Sequence, residues 1–160
     1  MATRTRKAKA SDEREPDYGT HPTYTATSQP CTPVHGRFLG SAGDVYADCR
    51  DMEQADREHF LVYFLTVRHH VIGERYTLAI GSLTGVEVHP RELFREAIKR
   101  GAASMIVVHN HPSGDATPSR QDLELTTRIR QGGDLLGISV LDHVIVGQGG
   151  FVSLASRGWC

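Results

Sequence analysis

Cysteine is scarce in this chain and poorly placed for a framework. The three residues, Cys31, Cys49 and Cys160, are scattered and form no Cys-x-x-Cys pair. That excludes a disulfide-stapled fold and a thiolate zinc site. No apolar run approaches the roughly eighteen residues a membrane helix needs, and no hydrophobic leader opens the chain. An excess of one charge is also missing. The 18 Lys and Arg against 19 Asp and Glu leave a net charge of −1, which supplies no field to draw nucleic acid. Length and composition predict one ordinary domain, without a membrane span and cytoplasmic.

Branched aliphatic side chains are nearly absent from the first 35 residues, where Val34 stands alone among four of the seven prolines. Such a segment buries too little apolar surface to offset the entropy of ordering it. Residues 1–38 are therefore expected to be a disordered tail, and residues 39–160 the domain. Arg4, Arg6, Lys7 and Lys9 make a basic cluster answered by Asp12, Glu13, Glu15 and Asp17. It reads as a solvated tail rather than a nucleic-acid arm.

From Ser41 onward the pattern changes. Ser41-Ala-Gly-Asp44 resembles a capping box, followed by a helical stripe of Val45, Cys49 and Met52. Phe60 to Val67 and Val71 to Ile80 read as two strands joined at Arg68-His69-His70. Pro90 suits the first turn of a helix carrying Leu93, Phe94, Ala97 and Ile98 and stopped at Gly101. Ser104 to Val108 is a short buried strand. A helix from Ser119 is expected to stop at Gly132-Gly133, followed by strands at Gly137–Val146 and Phe151–Leu154. The order α-β-β-α-β-α-β-β predicts an α/β fold with a mixed sheet flanked by helices.

The most informative stretch runs from His109 to Asp122. His109 and His111, at i and i+2 of a strand end, face the same side and can converge. After a loop containing Pro112 and Gly114, Asp122 can add an oxygen ligand. Two imidazoles and one carboxylate leave a tetrahedral position for water, the arrangement of a catalytic zinc rather than a structural one. A polar, metal-free strand end is the plainer alternative. Ser119 and Asp122 have a rival reading too: Ser-x-x-Asp opening an apolar-striped helix is itself a capping box. Spacing alone does not separate the two.

These residues carry a resemblance. His-x-His-x7-Ser-x2-Asp, matched by His109, His111, Ser119 and Asp122, resembles the signature of the JAMM (MPN+) metalloproteases. The His-Asn-His-Pro-Ser-Gly wording, Leu141-Asp142-His143, the terminal Arg157-Gly158-Trp159 and the upstream His89-Pro-Arg-Glu92 are similar to the RadC branch. The resemblance covers roughly residues 41 to 160. It implies a curved mixed sheet in a three-layer α-β-α MPN/JAB domain of cytidine-deaminase-like type. It also implies a zinc-dependent peptidase or isopeptidase acting on a protein or peptide.

Within that resemblance, His109, His111 and Asp122 hold Zn²⁺ and Ser119 donates to the developing oxyanion. A glutamate ahead of the neighbouring strand serves as general base. Glu58 is the best positional match for that base, with Glu74 and Glu87 as competitors. His143 is not a ligand in the motif and reads as a core or outer-sphere histidine. Asp115 reads as a solvated turn residue, and His69, His70 and His89 as loop residues. RadC-like proteins also carry a helix-hairpin-helix region, for which this tail has neither length nor periodicity. A DNA-repair-associated binding module is thus the alternative function. A scaffold without chemistry is disfavoured by the intact ligand set. Other zinc classes fail on spacing, since the chain lacks HxHxDH, PCxxC and HExxH.

Overall fold

The structure, a computed structural model, describes residues 36–81 and 88–159, so the segment 1–35 and Glu87 lie outside the described residues. Helix α1 (Ala42–Asp48) opens as its sequence predicts: the Ser41 hydroxyl accepts from the Asp44 amide at 3.2 Å. A 3₁₀ turn (Arg50–Gln54) leads to β1 (His59–Leu65). Its side chains alternate between two buried faces, Phe60, Val62 and Phe64 on one and Leu61, Tyr63 and Leu65 on the other. That double burial is why the strand reads as one continuous apolar run. The remaining elements are β2 (Tyr76–Ile80), α2 (Pro90–Lys99), β3 (Ser104–Asn110), α3 (Arg120–Leu136), β4 (Ser139–Gly147) and β5 (Gly150–Ser153).

The five strands lie in the order β2-β1-β3-β4-β5. β3 and β4 are parallel, joined by α3 as the crossover, and the other pairs are antiparallel. Helix α1 contributes Val45 to the core on one face, packed with Leu61, Tyr63, Ile106, Val108 and Val144. Helices α2 and α3 cover the other face through Leu93, Phe94, Ala97 and Ile129, against Phe60, Val62, Phe64 and Val107. The result is the expected three-layer α/β arrangement. None of the described helices is long and apolar enough to cross a membrane.

Three differences from the sequence reading bear on the site and the core. β2 begins at Tyr76 rather than Val71. Val71 and Ile72 still bond back to the β1 region, but the chain then bends at Gly73-Glu74, with Gly73 at φ +72°. Glu74 thereby leaves the strand. α3 runs through Gly132 and Gly133 to Leu136, and Gly137, at φ +68°, caps it. The two inner glycines serve close packing instead of termination: a Cβ on Gly133 would sit 2.4 Å from the Ile138 carbonyl oxygen.

The third difference is at the domain's leading edge. Residues 36–39 belong to the fold. The Val71 amide donates to the Arg37 carbonyl at 2.9 Å, Arg37 pairs with Asp48, and Leu39 is 3 % exposed. A chain beginning at residue 36 keeps these contacts, whereas one beginning at Gly40 loses Leu39's burial. That loss is worth about 2 kcal/mol, or about 8 °C at this size. Equal melting of the two truncated chains would show that this edge contributes nothing.

Candidate metal centre

The site forms where the β3 strand leaves the sheet and α3 returns to it. His109 and His111 flank Asn110, so their rings fall on the side covered by α3, while Asn110 faces the other way. The parallel pairing of β3 with β4 sets Val107 beside His143 and His109 beside Ile145. Antiparallel pairing with β1 sets Phe60 beside His109. The Phe60 ring stacks on the His109 ring, with centroids 6.0 Å apart and planes 9° from parallel.

Helix α3 delivers the carboxylate. The full capping box is formed: the Ser119 hydroxyl accepts from the Asp122 amide at 3.1 Å, and the Ser119 amide donates to Asp122 Oδ2 at 2.7 Å. The same carboxylate faces both imidazoles. Asp122 Oδ1 lies 3.2 Å from His109 Nε2, and Oδ2 lies 3.3 Å from His111 Nε2. The two Nε2 atoms are 3.0 Å apart. The rival sequence readings of Ser119-x-x-Asp122 are therefore compatible, because the cap orients the carboxylate towards the histidines. The Ser119 hydroxyl also donates to Asp122 Oδ2 at 2.7 Å, so its proton is committed in this arrangement.

Counting protons shows what the cluster accommodates. His111 Nδ1 lies 2.6 Å from the Asp115 backbone carbonyl, which can only accept. His111 is thus protonated at Nδ1 and, when neutral, bare at Nε2. Lone pairs from His111, His109 and Asp122 then converge, with candidate ligand atoms all within 4.8 Å of one another. Such a set is repulsive unless a cation or a proton lies among them. The residues fit a metal ion, and two nitrogens plus one carboxylate oxygen form a borderline-hard donor set.

The electrostatics agree. The Asp122 hydrogen bond, against partial burial, holds the His111 imidazole above its ordinary value, and the Glu58 charge adds to the shift. Burial opposes ionisation of Asp122, but the two imidazoles and Ser119 outweigh it and keep the carboxyl well below the usual range. The cluster is a place that attracts positive charge. Its mouth is partly open: the His111 side chain is 18 % exposed, whereas His109 is 1 % exposed.

The other candidate residues fall as follows. Glu58 precedes β1, is half-buried, and is close enough to act on His111. Glu74 is exposed in the bend before β2, whose Ile80 end, and not its Tyr76 end, pairs beside the site. Glu74 therefore lies farther along the sheet from His109 than Glu58 does. Glu87 is outside the described residues. Asp115 contributes through its backbone carbonyl, and its carboxylate accepts from the Thr117 amide at 2.8 Å.

Sequence reasoning missed Asn110. It is 1 % exposed and its amide clamps the main chain on both sides of Glu58. The His59 amide donates to Asn110 Oδ1 at 2.8 Å, and Asn110 Nδ2 donates to the Arg57 carbonyl at 3.0 Å. A polar residue between two histidines on a buried strand was the available signal. Asp142, in the Leu-Asp-His segment, is structural: it accepts from Ser153 Oγ at 2.6 Å and from the Ala155 amide at 2.9 Å.

Comparison with known proteins gives one consistent picture. The profile of the RadC-like JAB domain matches residues 39–159. A UPF0758 protein of Desulforamulus reducens is 54 % identical over 116 residues, covering 72 % of this chain and 49 % of the relative. A UPF0758 protein of Bacillus licheniformis is 53 % identical over 109 residues, covering 68 % of this chain and 48 % of the relative. The chain thus spans about half the length of the curated relatives it matches.

Proposed function

The chain belongs to the RadC-like JAB domain family, and from that premise we propose that it is a zinc-dependent hydrolase of amide or isopeptide bonds in a protein or peptide. The observation that carries this reading is the convergence of His109, His111 and Asp122, with Glu58 close enough to bias His111. His109, His111 and Asp122 would hold the ion. When bound, zinc supplies a Lewis acid that polarises a carbonyl and lowers the pKa of water towards about 7.

The chain's own residues supply the proton movements. Glu58 accepts a proton from the water that attacks the carbonyl carbon. It then returns that proton to the nitrogen as the C–N bond breaks. Asn110, by clamping residues 57 and 59, sets the height of Glu58 relative to the ligands. Ser119, once its hydroxyl turns from Asp122, donates to the oxyanion that develops on the carbonyl oxygen, worth about 3 kcal/mol in comparable sites. Asp122 remains ionised throughout, as a ligand must.

The test pairs metal analysis of the purified full chain with cleavage of a broad panel of peptides and isopeptide-linked conjugates. Cleavage that disappears on chelation and returns with zinc supports the proposal. A zinc-replete chain that cleaves nothing across the panel, or cleavage indifferent to chelation, sinks it.

A further inference from the structure

Behind the ligands lies a buried pair that the proposed chemistry does not use. His143, on β4, is completely buried, and Thr126, on α3, is 1 % exposed. Thr126 Oγ1 lies 2.6 Å from the Asp122 backbone carbonyl and 2.6 Å from His143 Nδ1. His143 Nε2 lies 2.8 Å from His109 Nδ1. A buried helical threonine that bonds to its i−4 carbonyl is common, and so is a satisfied core histidine. The direction of the protons sets this pair apart.

A hydroxyl has one proton, and a carbonyl oxygen has none. At 2.6 Å, the proton between Thr126 and the Asp122 carbonyl must come from Thr126. Thr126 Oγ1 is then an acceptor towards His143, and His143 Nδ1 must be the donor. His143 is fully buried and its ring nitrogens meet a hydroxyl and an imidazole, neither of which offsets a positive charge, so the ring is neutral and its other nitrogen is bare. That nitrogen can only accept, and His109 Nδ1 must donate to it. His109 is left with a bare Nε2, the atom that faces His111 and Asp122.

We infer that Thr126 and His143 form a one-directional hydrogen-bond relay that holds His109 in its Nδ1–H form, so that the Nε2 lone pair is the one presented to a metal. Both are positioning residues. His111 reaches the same form by a shorter route, through the Asp115 carbonyl. The relay starts from the main chain of Asp122, so the first and third ligands are linked through it. The Phe60 ring stacks on His109, with planes 9° from parallel. The proton assignment stands without a metal, and its purpose rests on the metal-centre reading above.

The experiment is long-range ¹H–¹⁵N spectroscopy of the imidazoles in the metal-free full chain at about pH 8.5, some two units above the ordinary imidazole value, with zinc affinity measured by chelator competition. Thr126→Val removes the hydroxyl while keeping the shape. A buried His143 Nδ1–H would then lack an acceptor. The proton is expected to move to Nε2, donate to His109 Nδ1, and push the His109 proton onto Nε2. The His109 nitrogen signals should exchange character, and zinc affinity should fall about 10- to 100-fold. Thr126→Ser should restore both.

A wild-type His109 protonated at Nε2 overturns the inference at once, even if Thr126→Val fails to fold. So does a loss of affinity without a change of tautomer, which a merely structural threonine would give, or a change of tautomer without loss of affinity. A wild-type chain that binds no zinc removes the proposed function but leaves the proton assignment to be decided in the metal-free protein.

Discussion

Replacing His109 or Asp122 with alanine is expected to take zinc content from about one ion per chain to near zero. On the proposed reading each side chain supplies one of three protein donors, so its loss leaves two. Elemental analysis of the variants beside the parent chain decides this. Zinc unchanged in both would remove the site. The two substitutions should differ in stability: Asp122→Ala also breaks the capping box of α3, a loss of about 1 kcal/mol in addition to the ligand. Collapse is not expected, because both core faces are built without the metal.

The metal-free chain should also show the Asp122–His111 pair in its pH dependence. The folded Asp122 pKa is lowered, so its contribution is present above the unfolded value of about 4 and is lost as pH falls. The folded His111 pKa is raised, so its contribution is full below the unfolded value of about 6.5 and is lost as pH rises through the folded one. Between about pH 4 and 6.5 both are in place. In chelator the thermal unfolding temperature should be highest in that window, and Asp122→Ala should flatten the profile. A flat profile in the parent chain would contradict the ion pair.

The second large effect is expected at Glu58. Glu58→Gln keeps the shape but cannot accept a proton, so hydrolysis should fall by about 10²- to 10⁴-fold while zinc content holds. Stability should hold too, because the ties at this point run through the main chain: the Gly81 amide donates to the Glu58 carbonyl at 2.8 Å, and Asn110 bonds its neighbours. Cleavage kinetics and metal analysis on one preparation separate the roles. If Glu58→Gln stays active while Glu87→Gln does not, the base lies elsewhere. A matching loss of zinc would make Glu58 a support for the ligands instead of a proton acceptor.

Much of the architecture is legible in the sequence. Continuous apolar runs marked β1 and β3 because both strands are buried on two faces, and Ser41, Pro90 and Ser119 marked helix starts through local capping chemistry. Spacing alone brought His109, His111 and Asp122 into consideration, since strand alternation and a returning helix are short-range geometry. Helix ends were harder. Gly132 and Gly133 resemble a stop signal, yet they exist to let α3 approach Phe94 and the Ile138 carbonyl, a contact between segments that no local pattern reveals. The same holds for residues 36–39, whose partners lie at Asp48 and around His69 to Val71.

By itself, the sequence determined the order of elements, the metal-type donor set and the family resemblance, because each is read from local patterns and spacings along the chain. Only the tertiary structure decided that Ser119 and Asp122 act as cap and carboxylate together. It alone placed Asn110 across 51 and 53 residues of chain to hold the backbone beside Glu58, and His143 behind His109 across 34. Hydrogen bonds spanning such separations are set by sheet register and helix packing. They become visible only when the whole domain has closed around them.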